Sequence, residues 1–291
     1  GSNENSHGPG PAARAAILDQ LHALHRYPDP LGGGLKRALA SRHGVPVEAL
    51  MLGNGSHELL MMLAQAFAGP GRGVVSSVYG FAVYGLAAAA AGAPHMQAPA
   101  RPLEDAMPRG HDLAALAAAA VPGTALVYLA NPNNPTGTWV GRDALARFLE
   151  AVPPDVIVVV DEAYHEYATD PDLGSALELR ARHPNLVVTR TFSKAHGLAG
   201  LRIGYLVAEP GLVAVLERLR ESFNANGPGL AACEAALGDA AHLDWVRQAN
   251  AAERESLADA LRARSLAVGP SQTNFLLVDF GRPAAPVEAG L

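Results

Sequence analysis

Five consecutive β-branched residues, Val156-Ile157-Val158-Val159-Val160, run straight into two carboxylates, Asp161-Glu162. β-Branched side chains suit a pleated strand, and a run without polar alternation requires cover on both faces. That combination belongs to a parallel sheet with helices on either side. Further runs of this kind lie at residues 74–77, 125–129, 186–189 and 203–207. Helical patterns separate them, at residues 56–68, 142–151 and 212–221. The stretch between the last two strands is too short for an ordinary crossover, which predicts that one of them runs antiparallel. The expected class is α/β, a mostly parallel sheet sandwiched by helices.

A chain of 291 residues has room for about two domains. After residue 224 the texture changes to two long helical patterns, 227–241 and 242–264, followed by one predicted strand, 272–280. Helices followed by a strand predict a second, smaller α+β unit. The alanine-rich stretch 113–130 is broken by Pro122-Gly123 and reads as helix, turn and buried strand rather than a membrane span.

Composition narrows the function classes. Charged residues are only 17 %, with 22 basic and 28 acidic side chains spread along the chain for a net charge of −6. No basic arm or stripe supports binding to nucleic acid or to a membrane surface. The polar, Gly/Pro-rich start lacks a charged n-region and an apolar h-region, and the single cysteine, Cys233, has no partner for an internal disulfide. Both features predict a cytoplasmic protein. The 11 histidines show no His-Glu-x-x-His spacing, so no metal site is expected. His57 and His196 read as supporting groups rather than catalysts.

Four segments carry chemistry. Gly53-Asn54-Gly55-Ser56-His57-Glu58 begins like a dinucleotide fingerprint but has Glu58 where the third glycine belongs, and no P-loop is present. What remains is a glycine-rich turn with Ser56 as the predicted N-cap of a helix, a place where free N–H groups can hold an anion. Asn131-Pro132-Asn133-Asn134-Pro135-Thr136-Gly137 forms a constrained loop at a strand end, where open α/β sheets bind ligands. Asp161-Glu162-Ala163-Tyr164 closes a buried strand with carboxylates, which are costly there unless a positive group pairs with them. Thr191-Phe192-Ser193-Lys194, with Arg202 eight residues after the lysine, places a lysine among hydroxyls with no acidic neighbour in sequence.

The order and content of these segments resemble the class I/II aminotransferases, pyridoxal-phosphate enzymes of fold type I. Within them the chain resembles the histidinol-phosphate aminotransferases. Ser2-Asn3-Glu4-Asn5, Tyr27-Pro28-Asp29 and Gln272-Thr273-Asn274-Phe275 also stand in the family's order, so the resemblance covers essentially the whole chain. It implies a large cofactor-binding domain at residues 28–223. The small domain would combine residues 1–27, as an N-terminal arm, with 224–291, and would be truncated at its C-terminus. The family's arginine that clamps the substrate carboxylate matches no position.

The resemblance also implies roles. Lys194 would condense with the cofactor's aldehyde and carry the substrate α-proton, and Asp161 would pair with the ring nitrogen. Asn134 and Tyr164 would hydrogen-bond the ring's 3′-oxygen. Gly55, Ser56, His57, Thr191, Ser193 and Arg202 would hold the phosphate, and Phe81 would lie on the ring face in preference to Tyr79. Tyr27 would reach the cofactor of a neighbouring subunit, which makes a homodimer the expected assembly. The implied reaction moves an amino group between histidinol phosphate and 2-oxoglutarate, giving glutamate. An aromatic or general amino-acid aminotransferase, an amino-acid-phosphate decarboxylase, and a catalytically silent cofactor-binding fragment are the alternatives the motifs leave open.

Overall fold

The computed structural model describes residues 2–290. Gly1 and Leu291, the outermost residues of the expected small domain, lie outside them. The strands are β1 (Leu50–Asn54), β2 (Gly73–Ser77), β3 (His95–Ala98), β4 (Thr124–Ala130), β5 (Ile157–Asp161), β6 (Leu186–Thr191), β7 (Ile203–Val207), β8 (Ala267–Val268) and β9 (Val278–Asp279). The first seven form one sheet in the order β1-β7-β6-β5-β4-β2-β3. Strands β2 to β6 pair in parallel, and β7 runs antiparallel to both β6 and β1, as the short connection required.

The helices are α1 (Pro11–Gln20), α2 (Gly33–His43), α3 (Gly55–Phe67), α4 (Val83–Ala90), α5 (Leu113–Ala119), α6 (Arg142–Ala151), α7 (Pro210–Leu216), α8 (Gly227–Gly238), α9 (Ala240–Arg262) and α10 (Ala285–Glu288). Strand β5 shows how the sheet is covered. Ile157 and Val159 enter a core with Leu59 and Leu63 of α3, Tyr84 of α4 and Leu216 of α7. Val158 and Val160 enter a separate core on the opposite face, with Leu116 of α5 and Phe148 of α6. Each fully buried valine contributes about 1.5–3 kcal/mol, which is why this run tolerates no polar residue before its end. A third core joins α1, α2 and α8 to β1 and β7 through Ala13, Leu39, Leu50, Tyr205 and Cys233. No helix among the described residues is long and apolar enough to cross a membrane.

Four local expectations change. The predicted strand 272–280 shrinks to Val278–Asp279, because residues 271–275 fold onto their own side chains. Ser271 Oγ donates to the Phe275 carbonyl at 2.7 Å, and Gln272 Oε1 accepts from the Thr169 N–H at 2.7 Å. Helix α7 stops at Leu216, where Arg220 curls back on Glu217 at 2.7 Å. Ser56 is not the N-cap: α3 begins at Gly55, whose φ of +78° supplies the turn a side-chain cap would otherwise make. Strands β1 and β3 carry a glycine or polar residues, and pairing with β7 and β2 makes them strands.

Candidate active site

A cavity of about 420 Å³ opens at the carboxyl ends of β4, β5 and β6. Ser56, His57, Phe81, Asn134, Asp161, Tyr164, Thr191, Ser193, Lys194 and Arg202 all line it. Gly55 stands just behind, at a φ of +78° that side chains rarely adopt and with Arg202 Nη2 2.5 Å from where a Cβ would lie. Tyr27 does not line the cavity. It is 82 % exposed and stacks on Phe223 at 4.5 Å.

One end of the cavity is built for an anion. Ser56 and His57 in the first turn of α3 line it, where a helix's N–H groups have no intrahelical partners. Thr191 Oγ1 accepts from the Ser193 N–H at 3.1 Å and donates to Ser193 Oγ at 3.0 Å, which clusters two hydroxyls at the end of β6. Arg202 Nη1 lies 3.5 Å from Ser193 Oγ and donates to the Ala199 carbonyl at 3.1 Å. Arg202 itself has a φ of +57°, a left-handed conformation costing an arginine about 1–2 kcal/mol. Strain of this kind concentrates at ligand sites.

Asp161, at the end of β5, lines the same cavity. It is 4 % exposed, and among the described residues no cation pairs with it. Thr189 Oγ1 donates to Oδ1 at 3.0 Å and Tyr84 Oη donates to Oδ2 at 3.2 Å. Burial pushes its carboxyl up to about 6, against these hydroxyls and the Ala163 N–H, which draw it down. The adjacent Glu162 behaves differently. It faces away, takes Arg190 at 2.9 and 2.7 Å, and is held below the usual carboxylate range by that guanidinium despite full burial. Of the two strand-end carboxylates, only Asp161 still needs a positive partner.

Lys194 and Tyr164 also line the cavity. Burial lowers the Lys194 ammonium, Arg202 adds to the lowering, and Glu4 and Asp161 oppose it. Its Nζ donates to the carbonyls of Ser2 and Asn3 at 2.8 and 3.3 Å and sits 5.5 Å above the Tyr164 ring. Tyr164 Oη accepts from Asn134 Nδ2 and from Asn3 Nδ2, each at 3.2 Å. The asparagine loop keeps Asn134 available because Asn131 and Asn133 are spent on Val140, Tyr79 and Thr136.

Sequence reasoning missed Ser2, Asn3, Tyr84 and Thr189 as members of this site. Asn3 lies in the noted Ser2-Asn3-Glu4-Asn5 start, and Thr189 pairs directly with Asp161 across the sheet, a register no linear motif reports. Tyr84 is a wholly buried α4 residue whose hydroxyl alone marks it.

The family model for class I and II aminotransferases matches residues 1–289. A histidinol-phosphate aminotransferase 2 of Pseudomonas aeruginosa is 47 % identical over 290 residues, covering 100 % of this chain and 77 % of that protein. One from Methylococcus capsulatus is 48 % identical over 286 residues, covering 98 % and 77 %. The solved histidinol-phosphate aminotransferase of Sinorhizobium meliloti, in complex with pyridoxal-5′-phosphate, superimposes with a TM-score of 0.92 at 35 % identity, over 99 % of this chain and 77 % of that one. With its sheet, its strand-end carboxylate and its lysine in this arrangement, the chain belongs to the class I and II aminotransferase family and is a transaminase.

Proposed function

We propose that the chain binds pyridoxal 5′-phosphate in the 420 Å³ cavity and transfers the amino group of histidinol phosphate to 2-oxoglutarate, in either direction, as a step of histidine biosynthesis. The observation that carries this reading is the set of groups lining one pocket: a buried carboxylate lacking a cation, a lysine, and a helix N-terminus with a guanidinium. The identity to histidinol-phosphate aminotransferases supports the substrate. The donor set fits the cofactor. Gly55, Ser56, His57, Thr191, Ser193 and Arg202 would hold its phosphate, Phe81 its ring face, Asn134 and Tyr164 its 3′-oxygen, and Asp161 its protonated ring nitrogen. When bound, the cofactor supplies a covalent attachment for the substrate amine and a sink for the electrons left when the α-proton departs.

The chain's own residues do the rest. Lys194 Nζ, its basicity lowered by burial, would meet the substrate as a neutral amine, take up the α-carbon proton, hold it as an ammonium and deliver it to the cofactor's C4′. Arg202 and the α3 N–H groups fix the phosphate so that Nζ and the reacting carbon stay in register. Asp161 stays an acceptor, fixed by Thr189 and Tyr84. The carbonyls of Ser2 and Asn3 accept hydrogen bonds from the Lys194 amine and fix its position.

A homodimer completes the reading. Tyr27, Leu18, Leu21, Leu24 and Leu31 are all exposed, an apolar surface suited to a second copy, with Tyr27 reaching its neighbour's phosphate. A reducing cytoplasm suits the one unpaired, buried thiol, Cys233. The large unit at 28–223 and the smaller one from 1–27 plus 224–291 are the proposed domains. The test is glutamate formation from histidinol phosphate and 2-oxoglutarate by the loaded protein, with carbon dioxide release measured alongside. Glutamate without carbon dioxide supports transamination; carbon dioxide without glutamate points to a decarboxylase instead.

A further inference from the structure

Both oxygens of Asp161 receive a hydroxyl proton, from two elements that lie far apart in sequence: Thr189 on β6 and Tyr84 on α4. Tyr84 is fixed with unusual thoroughness. Its ring is wholly buried and lies parallel to that of Tyr128, with centroids 4.8 Å apart and planes 2° apart. Phe81 meets it edge-on at 5.9 Å and 88°. Tyr128 is tied in turn, its hydroxyl donating to the Leu60 carbonyl on α3 at 2.7 Å. One stack therefore links the ring-face residue Phe81, the carboxylate Asp161 and the helix at the anion end.

We propose that Tyr84 is a positioning residue for Asp161, holding the carboxylate ionised and in the rotamer that faces the bound ring. This rests on the reading of Asp161 as the partner of the ring nitrogen. A phenol donates one proton, and a carboxylate accepts it better than a carboxylic acid does. Burial raises the Tyr84 phenol well above its ordinary range, so it remains a donor at any working pH. Burial also drives Asp161 toward its neutral form, and Tyr84 is one of the few groups opposing that drift. A neutral Asp161 would offer a proton where the protonated ring nitrogen needs an acceptor. The stack explains why the donor is a tyrosine: its ring cannot swing away without leaving Tyr128 and Phe81.

The test is an NMR titration of the full chain in its cofactor-free form, with carbon-13 in the aspartate carboxyls and the tyrosine Cζ atoms. Asp161→Asn assigns the carboxyl signal. In the parent chain the Tyr84 Cζ resonance should titrate with the same midpoint as the Asp161 carboxyl, a measurement that needs no variant to fold. Tyr84→Phe should raise that midpoint by about one unit, roughly the loss of one charge-assisted hydrogen bond. Thr189→Val should raise it comparably, and Thr189→Ser should leave it in place. A Tyr84 resonance blind to the Asp161 midpoint, or a folded Tyr84→Phe chain with the midpoint unmoved, overturns the proposal. Binding of pyridoxal phosphate to Asp161→Asn separates the two levels. Binding weakened about tenfold or more upholds the ring-nitrogen reading, so that a failed titration then overturns the Tyr84 role alone. Unchanged binding overturns both.

Discussion

Replacing Asp161 with asparagine should stabilise the cofactor-free protein at neutral pH while disabling it as an enzyme. In the folded chain Asp161 holds its proton to about 6, against an ordinary 3.8. The unfolded chain releases that proton earlier, so between these values the folded state binds more protons and stability falls as pH rises. Above about pH 6 the whole penalty remains. A difference of about 2 units, at about 1.4 kcal/mol each, sets it at roughly 3 kcal/mol. Asparagine keeps the shape and removes the charge, but its amide turns an N–H₂ toward one of the two hydroxyl donors, losing about 1 kcal/mol. The net gain is about 2 kcal/mol. Urea unfolding of both chains without cofactor, followed by circular dichroism from about pH 4 to about pH 8, measures it. The gap should open as pH rises through the window between 3.8 and about 6 and then level off. Pyridoxal phosphate at a hundred times the parent's Kd should narrow the gap to below about 1 kcal/mol, because the parent gains about 2.7 kcal/mol and a variant that binds about tenfold more weakly gains about 1.4. An Asp161→Asn chain less stable than the parent at neutral pH, or a gap independent of pH, would refute the reasoning.

Two further substitutions probe the frame around the site. Gly204→Ala puts a Cβ against the backbone of Ser56 and of Gly55, neither of which can rotate aside, so β7 and the start of α3 must part. It should cost about 3 kcal/mol in urea unfolding and lower cofactor affinity at least about tenfold, whereas Gly200→Ala, which meets no atom within 4 Å, should do neither. Arg190→Met strands Glu162 and Glu166 without the guanidinium that sits 2.7 and 3.2 Å from them. A loss of about 3–5 kcal/mol is expected at neutral pH. Because Glu162 has a depressed carboxyl when paired, its contribution is present above the ordinary carboxylate value and fades as pH falls, so the gap should narrow in acid.

The central parallel strands were legible because each of their faces is buried and the residues say so: Val158 and Val160 face one core, Val159 the other. Asp161, Lys194 and Arg202 stood out for the same reason, as charges where apolar or small residues dominate. Strands β1 and β3 escaped notice since their identity comes from partners, β7 and β2, rather than from their own side chains. Thr189, Tyr84 and Asn3 were hidden more deeply. Each acts across the fold on Asp161 or Tyr164, and a threonine in a strand, a tyrosine in a core or an asparagine near a terminus looks ordinary until register and packing bring the pairs to about 3 Å. The segment at 271–275 misled in the opposite direction, with strand-like residues whose hydroxyls bond locally and bend the chain.

The most direct test is the visible spectrum of the protein loaded with pyridoxal phosphate, recorded before and after histidinol phosphate and again after 2-oxoglutarate. The band of the lysine-linked cofactor should fade with histidinol phosphate and return with 2-oxoglutarate as glutamate appears, and Lys194→Ala should lack that band from the start. A spectrum indifferent to histidinol phosphate, or a Lys194→Ala protein with the parent's band, would contradict the account.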